Sequence, residues 1–137
     1  MDKMYRDAVL EYVRGLEQEL AEIRQLVQSL DSQSKISRMV YRTSERLLQL
    51  LTEACIGIAK QTLKAEGKPV PSDARKAFFQ LHAVGLDPTG ADWNRIIGMR
   101  NALVHDYLNL SPERVLNVIR TGQYQVLIDF AHHRLTD

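Results

Sequence analysis

The spacing of apolar residues in the N-terminal half limits most strongly how this chain can fold. In each of two segments these residues lie alternately four and three positions apart, a pattern typical of long helices that pack at a shallow angle. The polar stretch "LDSQSK" separates the segments, and Asp31 or Ser32 can cap a new helix there. The sequence therefore predicts two long antiparallel helices. Their predicted seams are Val9, Val13, Leu16, Leu20, Ile23, Val27 and Leu30, then Ile36, Val40, Thr43, Leu47, Leu50 and Ala54.

Turn and cap residues divide the rest of the chain into three further helices. The predicted starts are Ser72 for the third helix, Asp87 with Pro88 for the fourth, and Ser111 with Pro112 for the fifth. The predicted ends are Gly67 for the second helix, Gly85 for the third, about Leu108 for the fourth and about Arg134 for the fifth. No segment has the pattern of a strand. The prediction is an all-α, up-and-down bundle of about five helices, forming one domain over residues 1–137.

Composition narrows the classes of function. Charged residues interrupt every apolar run and the N-terminus lacks the apolar region of a secretory signal, so we expect a cytoplasmic protein with no membrane partner. The single cysteine, Cys55, excludes an internal disulfide and is expected to be a buried, unreactive thiol. A net charge of +1 counts against a broad basic surface, but leaves room for a cleft where a few arginines converge.

The fourth predicted helix contains "RNALVHDY", in which reactive side chains follow an apolar run. On a helical wheel Arg100 falls within the apolar stripe, with Tyr107 almost directly above it, while His105 lies about 140° away on a polar shoulder with Asn101. An unpaired buried guanidinium costs several kcal/mol. Arg100 therefore either pairs with a carboxylate, Glu53 or Asp106, or lines a cleft. If Arg100 pairs with a carboxylate, His105 is an ordinary exposed residue.

If Arg100 lines a cleft instead, the chemistry of these residues suits the cleavage of RNA. A histidine can take a proton from a ribose 2′-hydroxyl or return one to a leaving 5′-oxygen, and an arginine can hold the phosphate. Asn101 could orient the ring of His105 or donate to a phosphate oxygen. This reaction requires no metal and would spare DNA. The histidines show no recognisable metal-ligand spacing, so neither a metal nor a cofactor is expected.

The stretch "GMRNALVHDY" resembles the HepT-like toxins of the HEPN superfamily, whose hallmark is Arg, four residues, His, one residue and Tyr. Here these positions are Arg100, His105 and Tyr107, with Asn101 as the polar residue after the arginine. The likeness extends over nearly the whole chain. "SERLLQLLTEACIGIAKQTL" resembles the second helix of the family, including its mid-helix glutamate, Glu53.

The resemblance implies an all-helical, metal-independent endoribonuclease that forms a homodimer with the motif at the subunit interface. Two copies of Arg100 and His105 would then share one cleft. It also implies a cognate minimal nucleotidyltransferase antitoxin that neutralises the toxin by transferring AMP to Tyr107. Such an adduct would compete for the arginines that hold RNA phosphate.

Two alternatives remain open. The chain could be a non-catalytic accessory or substrate-binding subunit of a nucleotidyltransferase, or a structural bundle in which the motif is coincidental. The complete pair of Arg100 and His105 favours the ribonuclease. Arg42 and Arg46, which follow Arg38 at intervals of four, form a basic strip that either contacts RNA backbone or is a solvated helix face.

Overall fold

The computed structural model describes residues 1–30, 36–105 and 111–136. Within these ranges the chain forms α-helices and no strand, which confirms the all-α prediction. None of these helices combines the length and apolar character needed to cross a membrane. The helices are α1 (Lys3–Gln28), α2 (Arg38–Ala65), α3 (Ala74–Ala83), α4 (Trp93–His105), α5 (Pro112–Thr121) and α6 (Gln125–Leu135).

Helices α1 and α2 form the long pair that the spacing predicts. The middle of the α1 seam is buried as expected, at Val13, Leu16, Leu20, Ile23 and Val27. The seam predicted for α2 is wrong in part, since Thr43 is exposed. Helix α2 packs against all five other helices, so a single narrow stripe cannot serve it. Its buried face is correspondingly wide: Ser44, Leu47, Leu48, Leu51, Thr52, Cys55, Ile58, Ala59, Thr62 and Leu63.

The glycine ends of α2 and α3 are confirmed. Gly67 and Gly85 have φ angles of 67° and 77°, in the left-handed region that glycine adopts without a steric penalty. After Gly67, the amide of Lys68 donates to the Leu63 carbonyl at 2.9 Å, which closes the helix in the usual glycine-terminated manner.

The predicted helix starts are less accurate. Ser37 caps α2, whereas Asp31 and Ser32, where that cap was predicted, lie outside the described residues. Asp73 caps α3 in place of Ser72, accepting from the amide of Lys76. Ser111 does precede α5 and Pro112 is its first residue, as predicted.

Asp87 was predicted to cap α4, and this is wrong. It is buried in the loop before the helix, where it accepts hydrogen bonds from the Trp93 indole at 2.5 Å and the Thr89 hydroxyl at 2.6 Å. The residue in the capping position is Asp92, which accepts from the amide of Arg95 at 3.2 Å. Trp93 also stacks on Phe78 with ring centroids 3.7 Å apart. Helix α4 is therefore anchored at its first residue.

The sequence predicts one continuous helix from Ser111 toward Arg134, and this is wrong because the segment forms two helices. Helix α5 ends at Thr121, the chain turns at Gly122, and α6 begins at Gln125. Gly122 has a φ of 71°, and the amide of Gln123 donates to the Val118 carbonyl at 3.2 Å. The turn allows α5 and α6 each to pack on both α1 and α2.

Candidate functional site

A groove with a volume of about 490 Å³ lies between α4 on one side and α5 and α6 on the other, with α2 beneath it. The apolar residues that line it are buried or half-buried, whereas its amides, its carboxylate and its arginines other than Arg100 are exposed and so lie toward its opening. The apolar lining comprises Leu48, Ile96, Met99, Ala102, Leu103, Val118, Val126 and Leu127.

Arg100 lines this groove and is half-buried. Its Nε atom is buried and has no hydrogen-bond partner within the described part of the chain. Glu53, one of the two partners considered for it, is exposed and accepts a hydrogen bond from the Gln49 amide at 3.2 Å instead. The other, Asp106, lies outside the described residues. The guanidinium thus borders an open groove.

The charges around Arg100 are predominantly positive. Arg95 and Arg114 line the same groove, and Asp92 is the carboxylate among its lining residues. The Asp92 carboxylate already accepts a hydrogen bond from the backbone amide of Arg95 at the start of α4. Three guanidinium groups beside one engaged carboxylate favour an anionic ligand.

His105 is the last residue of α4, and it is exposed and absent from the lining of the groove. Five helical residues separate it from Arg100, which corresponds to about 140° around the axis and about 7.5 Å along it. Asn101 is half-buried, on the face between them. A single chain therefore does not direct the arginine and the histidine at one point. Tyr107, the third motif residue, lies outside the described residues.

The α4 face that carries His105 also contacts a cation from α3. The guanidinium of Arg75 donates to the Asn94 carbonyl at 3.4 Å. Its Nη2 atom would lie 3.3 Å from a Cβ at Gly98, so the glycine leaves space for this close approach. Arg75 was not among the predicted site residues.

The other predicted site residues lie elsewhere. Arg42, Arg46 and Glu53 are exposed on α2. Their separations of four and seven residues place them on the same face of the helix. Leu48 and Thr52, on another face of the same helix, line the groove instead. The structure thus does not bring the basic strip and Glu53 into the groove with Arg100.

The polar lining of the groove was largely missed by reasoning from sequence. Arg95, Arg114, Asn117 and Gln123 belong to three separate segments, and each looks like an ordinary surface residue in its local context. Only the packing of α4, α5 and α6 on α2 brings them together, so no local pattern could have identified them.

Neither metal chemistry nor thiol chemistry is apparent among these residues. Within the described ranges, no three histidine, cysteine, aspartate or glutamate side chains gather as a metal would require. Cys55 is buried, as predicted, and its thiol donates to the Leu127 carbonyl at 3.4 Å. Burial raises the pKa of this thiol far above its ordinary value, with a smaller contribution from the charge of Asp87.

Comparison with known proteins gives matches to a family, a curated protein and a solved structure. The family described as "HepT-like: Ribonuclease HepT-like" matches residues 16–133. The mRNA nuclease HepT of Shewanella oneidensis is 32% identical over 75 residues, which cover 53% of this chain and 56% of that protein. This chain therefore matches little more than half the length of that relative.

The solved structure is titled "Crystal structure of the toxin-antitoxin with AMP-PNP". Its matching chain superimposes with a TM-score of 0.74 at 24% identity, covering 96% of this chain and 99% of that chain. The two chains thus share a fold over nearly their whole length.

Proposed function

This chain belongs to the HepT-like ribonuclease family, and from that membership we propose that it is a metal-independent endoribonuclease acting as the toxin of a toxin–antitoxin pair. The observation that carries the proposal is the position of Arg100. A half-buried guanidinium, whose Nε atom has no partner among the described residues, borders an open groove on the same helix as an exposed histidine. Such an arrangement is costly in a purely structural helix and useful for holding phosphate.

In the proposed reaction the ribose 2′-oxygen attacks the adjacent phosphorus and the bond from phosphorus to the 5′-oxygen breaks. His105 takes the proton from the 2′-hydroxyl, and a second histidine gives a proton to the leaving 5′-oxygen. Arg100 stabilises the added negative charge on the phosphate, and Asn101 holds the ring of His105 or a phosphate oxygen. The products are a 2′,3′-cyclic phosphate and a free 5′-hydroxyl.

A homodimer would supply both histidines. Within one chain Arg100 and His105 point to different faces of α4, so one motif alone does not surround a phosphate. A two-fold axis near the C-terminal end of α4 would place the partner's motif opposite the first. Each phosphate could then meet an arginine and a histidine from different subunits.

Regulation is proposed to follow the pattern that the family resemblance implies. A cognate minimal nucleotidyltransferase would transfer AMP from ATP to the hydroxyl of Tyr107, two positions after His105, with release of pyrophosphate. The phosphodiester adduct adds a bulky anion close to the cationic groove, where it would compete with RNA phosphate for Arg100 and its neighbours.

Cleavage of RNA by the purified protein in EDTA tests the catalytic proposal. The wild-type protein is expected to cut single-stranded RNA, leaving a cyclic phosphate. Arg100→Ala and His105→Ala are expected to be folded and to lose at least about a hundredfold in rate, the usual contribution of one catalytic group. Rates are measured by gel electrophoresis of labelled RNA, and folding by circular dichroism.

Two exposed residues serve as matched controls. His133→Ala on α6 and Arg14→Ala on α1 remove the same side-chain types away from the groove, and should retain the wild-type rate. Equal rates for all five proteins would contradict the assignment of Arg100 and His105. Activity that disappears in EDTA and returns with a divalent ion would contradict metal independence.

A second candidate function is favoured by one observation, the divergence of Arg100 and His105 within a single chain. A non-catalytic accessory subunit of a nucleotidyltransferase would not require the two groups to converge. This candidate predicts stable binding of a nucleotidyltransferase, and no cleavage of RNA by either protein alone or by the complex.

A further inference from the structure

We propose that the groove beside Arg100 binds a single nucleotide of single-stranded RNA, with its base on the apolar floor and its phosphate at the arginines. Asn117 and Gln123 would set which base is accepted. The inference rests on the proposed ribonuclease function and adds to it a subsite that fixes where the RNA is cut.

The size and lining of the groove suit a nucleotide base. Its volume of about 490 Å³ lies within the range of roughly 300–1,000 Å³ that small-molecule sites occupy. Leu103 from α4, Val118 from α5 and Leu127 from α6 contribute apolar surface. A base that is not stacked in a duplex can bury its flat faces against such an apolar surface.

The rim of the groove suits a phosphate. Arg95 and Arg114 are exposed at the opening of the groove and the half-buried Arg100 lines it, so three guanidinium groups border this space. The Nε atom of Arg100 is buried and has no hydrogen-bond partner among the described residues, so the described part of the chain does not satisfy this guanidinium. Asp92 does not neutralise this rim completely, since one carboxylate faces three cations.

The polar groups free to read a base edge are two side-chain amides. Asn117 and Gln123 line the groove and are exposed, and neither amide is hydrogen-bonded within the described ranges. The other neutral polar candidates are less available, since the Thr52 hydroxyl donates to the Leu48 carbonyl at 2.8 Å and Tyr124 is buried. An amide both donates and accepts, so it can pair with the hydrogen-bonding edge of a base.

Charge favours RNA as the occupant of the groove. Three guanidinium groups and one carboxylate line it. The RNA backbone supplies phosphates at regular intervals, which such a lining attracts.

The test measures binding separately from cleavage, with His105→Ala protein so that the RNA stays intact. Short fluorescent oligonucleotides carry one A, G, C or U flanked on both sides by abasic ribonucleotides, and dissociation constants come from fluorescence anisotropy at fixed salt. The tightest and weakest central bases should differ by roughly 5- to 150-fold, the range that one well-placed hydrogen-bonding pair provides. Asn117→Ala and Gln123→Ala should each bring this ratio toward one.

Further variants separate base reading from phosphate binding and from steric access. Arg114→Ala should weaken binding to all four oligonucleotides by a similar factor and flatten its salt dependence. Leu103→Trp fills the floor and should weaken all four at least tenfold. Asn94→Ala and Gln125→Ala remove exposed amides that do not line the groove, and should leave both affinity and base preference unchanged.

Equal affinity for the four bases, or a base preference untouched by Asn117→Ala and Gln123→Ala, would overturn the inference. Free nucleoside 5′-monophosphates are added as competitors. If they displace RNA at the concentrations at which RNA itself binds, the groove is a site for free nucleotides and the RNA assignment is wrong. Base-selective binding by a wild-type protein that cuts no RNA would refute the proposed function and leave this subsite standing.

Discussion

Arg100 occupies a helix position where an apolar side chain would pack more favourably. Trp93 and Ile97, on the same side of α4, are buried, whereas Arg100 is half-buried and its Nε donor has no partner in the described part of the chain. Proteins tolerate such local conflicts mainly where function requires them. Stability and activity should therefore respond in opposite directions when this side chain changes.

Replacing Arg100 by methionine tests that opposition. Methionine keeps an unbranched side chain of similar reach, but removes the charge and the unsatisfied donor. We expect Arg100→Met to raise the free energy of unfolding by about 1 kcal/mol, because an unpaired buried donor typically costs that much or more. The same variant should not cleave RNA. Urea denaturation measures the first effect and the RNA assay the second.

Arg14→Met is the matched control for this substitution, since Arg14 is exposed on α1. Its free energy of unfolding should stay within about 0.5 kcal/mol of wild type. A clear loss of stability in Arg100→Met would mean that the guanidinium has a structural partner, and would favour the ion-pair interpretation.

At the scale of helices, the sequence predicts where they end better than where they begin. Gly67 and Gly85 end their helices as expected, because a left-handed residue is a local requirement that glycine meets. Asp87 looked like a cap, but its carboxylate accepts the Trp93 indole and Asp92 takes the capping position. That indole needs a partner only once Trp93 is buried, and local sequence does not reveal its burial.

Gly122 marks the division of α5 from α6, where the sequence predicts one continuous helix. Its φ of 71° is strained for any residue with a Cβ, and an added Cβ would lie 2.9 Å from a guanidinium nitrogen of Arg24. We expect Gly122→Ala to lower the free energy of unfolding by about 1–2 kcal/mol, mainly through backbone strain. Thermal or urea unfolding monitored by circular dichroism measures this change.

Gly15→Ala gives a control with the opposite expected sign. Gly15 is exposed within α1 and has no atom within 4 Å of an added Cβ. Alanine should therefore stabilise the helix by about 0.5–1 kcal/mol. Similar effects for both substitutions would show that the turn at Gly122 does not need a left-handed residue.

At the scale of the whole molecule, the fold class follows from periodicity, but the groove does not. Heptad-like spacing predicts the long helices, because each must bury a stripe, and the α1 seam is buried accordingly. Thr43 is exposed although the spacing predicts that it is buried. Helix α2 contacts five helices, so a single stripe does not describe its buried face. Arg95, Arg114 and Asn117 reach the groove through tertiary packing alone.

The proposed dimer can be tested at the exposed apolar position of α4. Only Trp93 and Ile97 are buried along this helix, while Val104 is 36% exposed and does not line the groove. If two copies meet there, a charge at Val104 would be desolvated next to its symmetry mate. Val104→Arg should therefore both shift the protein from dimer to monomer and reduce its cleavage of RNA.

Analytical ultracentrifugation at micromolar concentration measures the association. The control variant Met4→Arg, at a position 81% exposed on α1, should remain dimeric and active. A wild-type protein that sediments as a monomer while cleaving RNA would show that one chain suffices, and the divergence of Arg100 and His105 would then have to be reconciled within a single subunit.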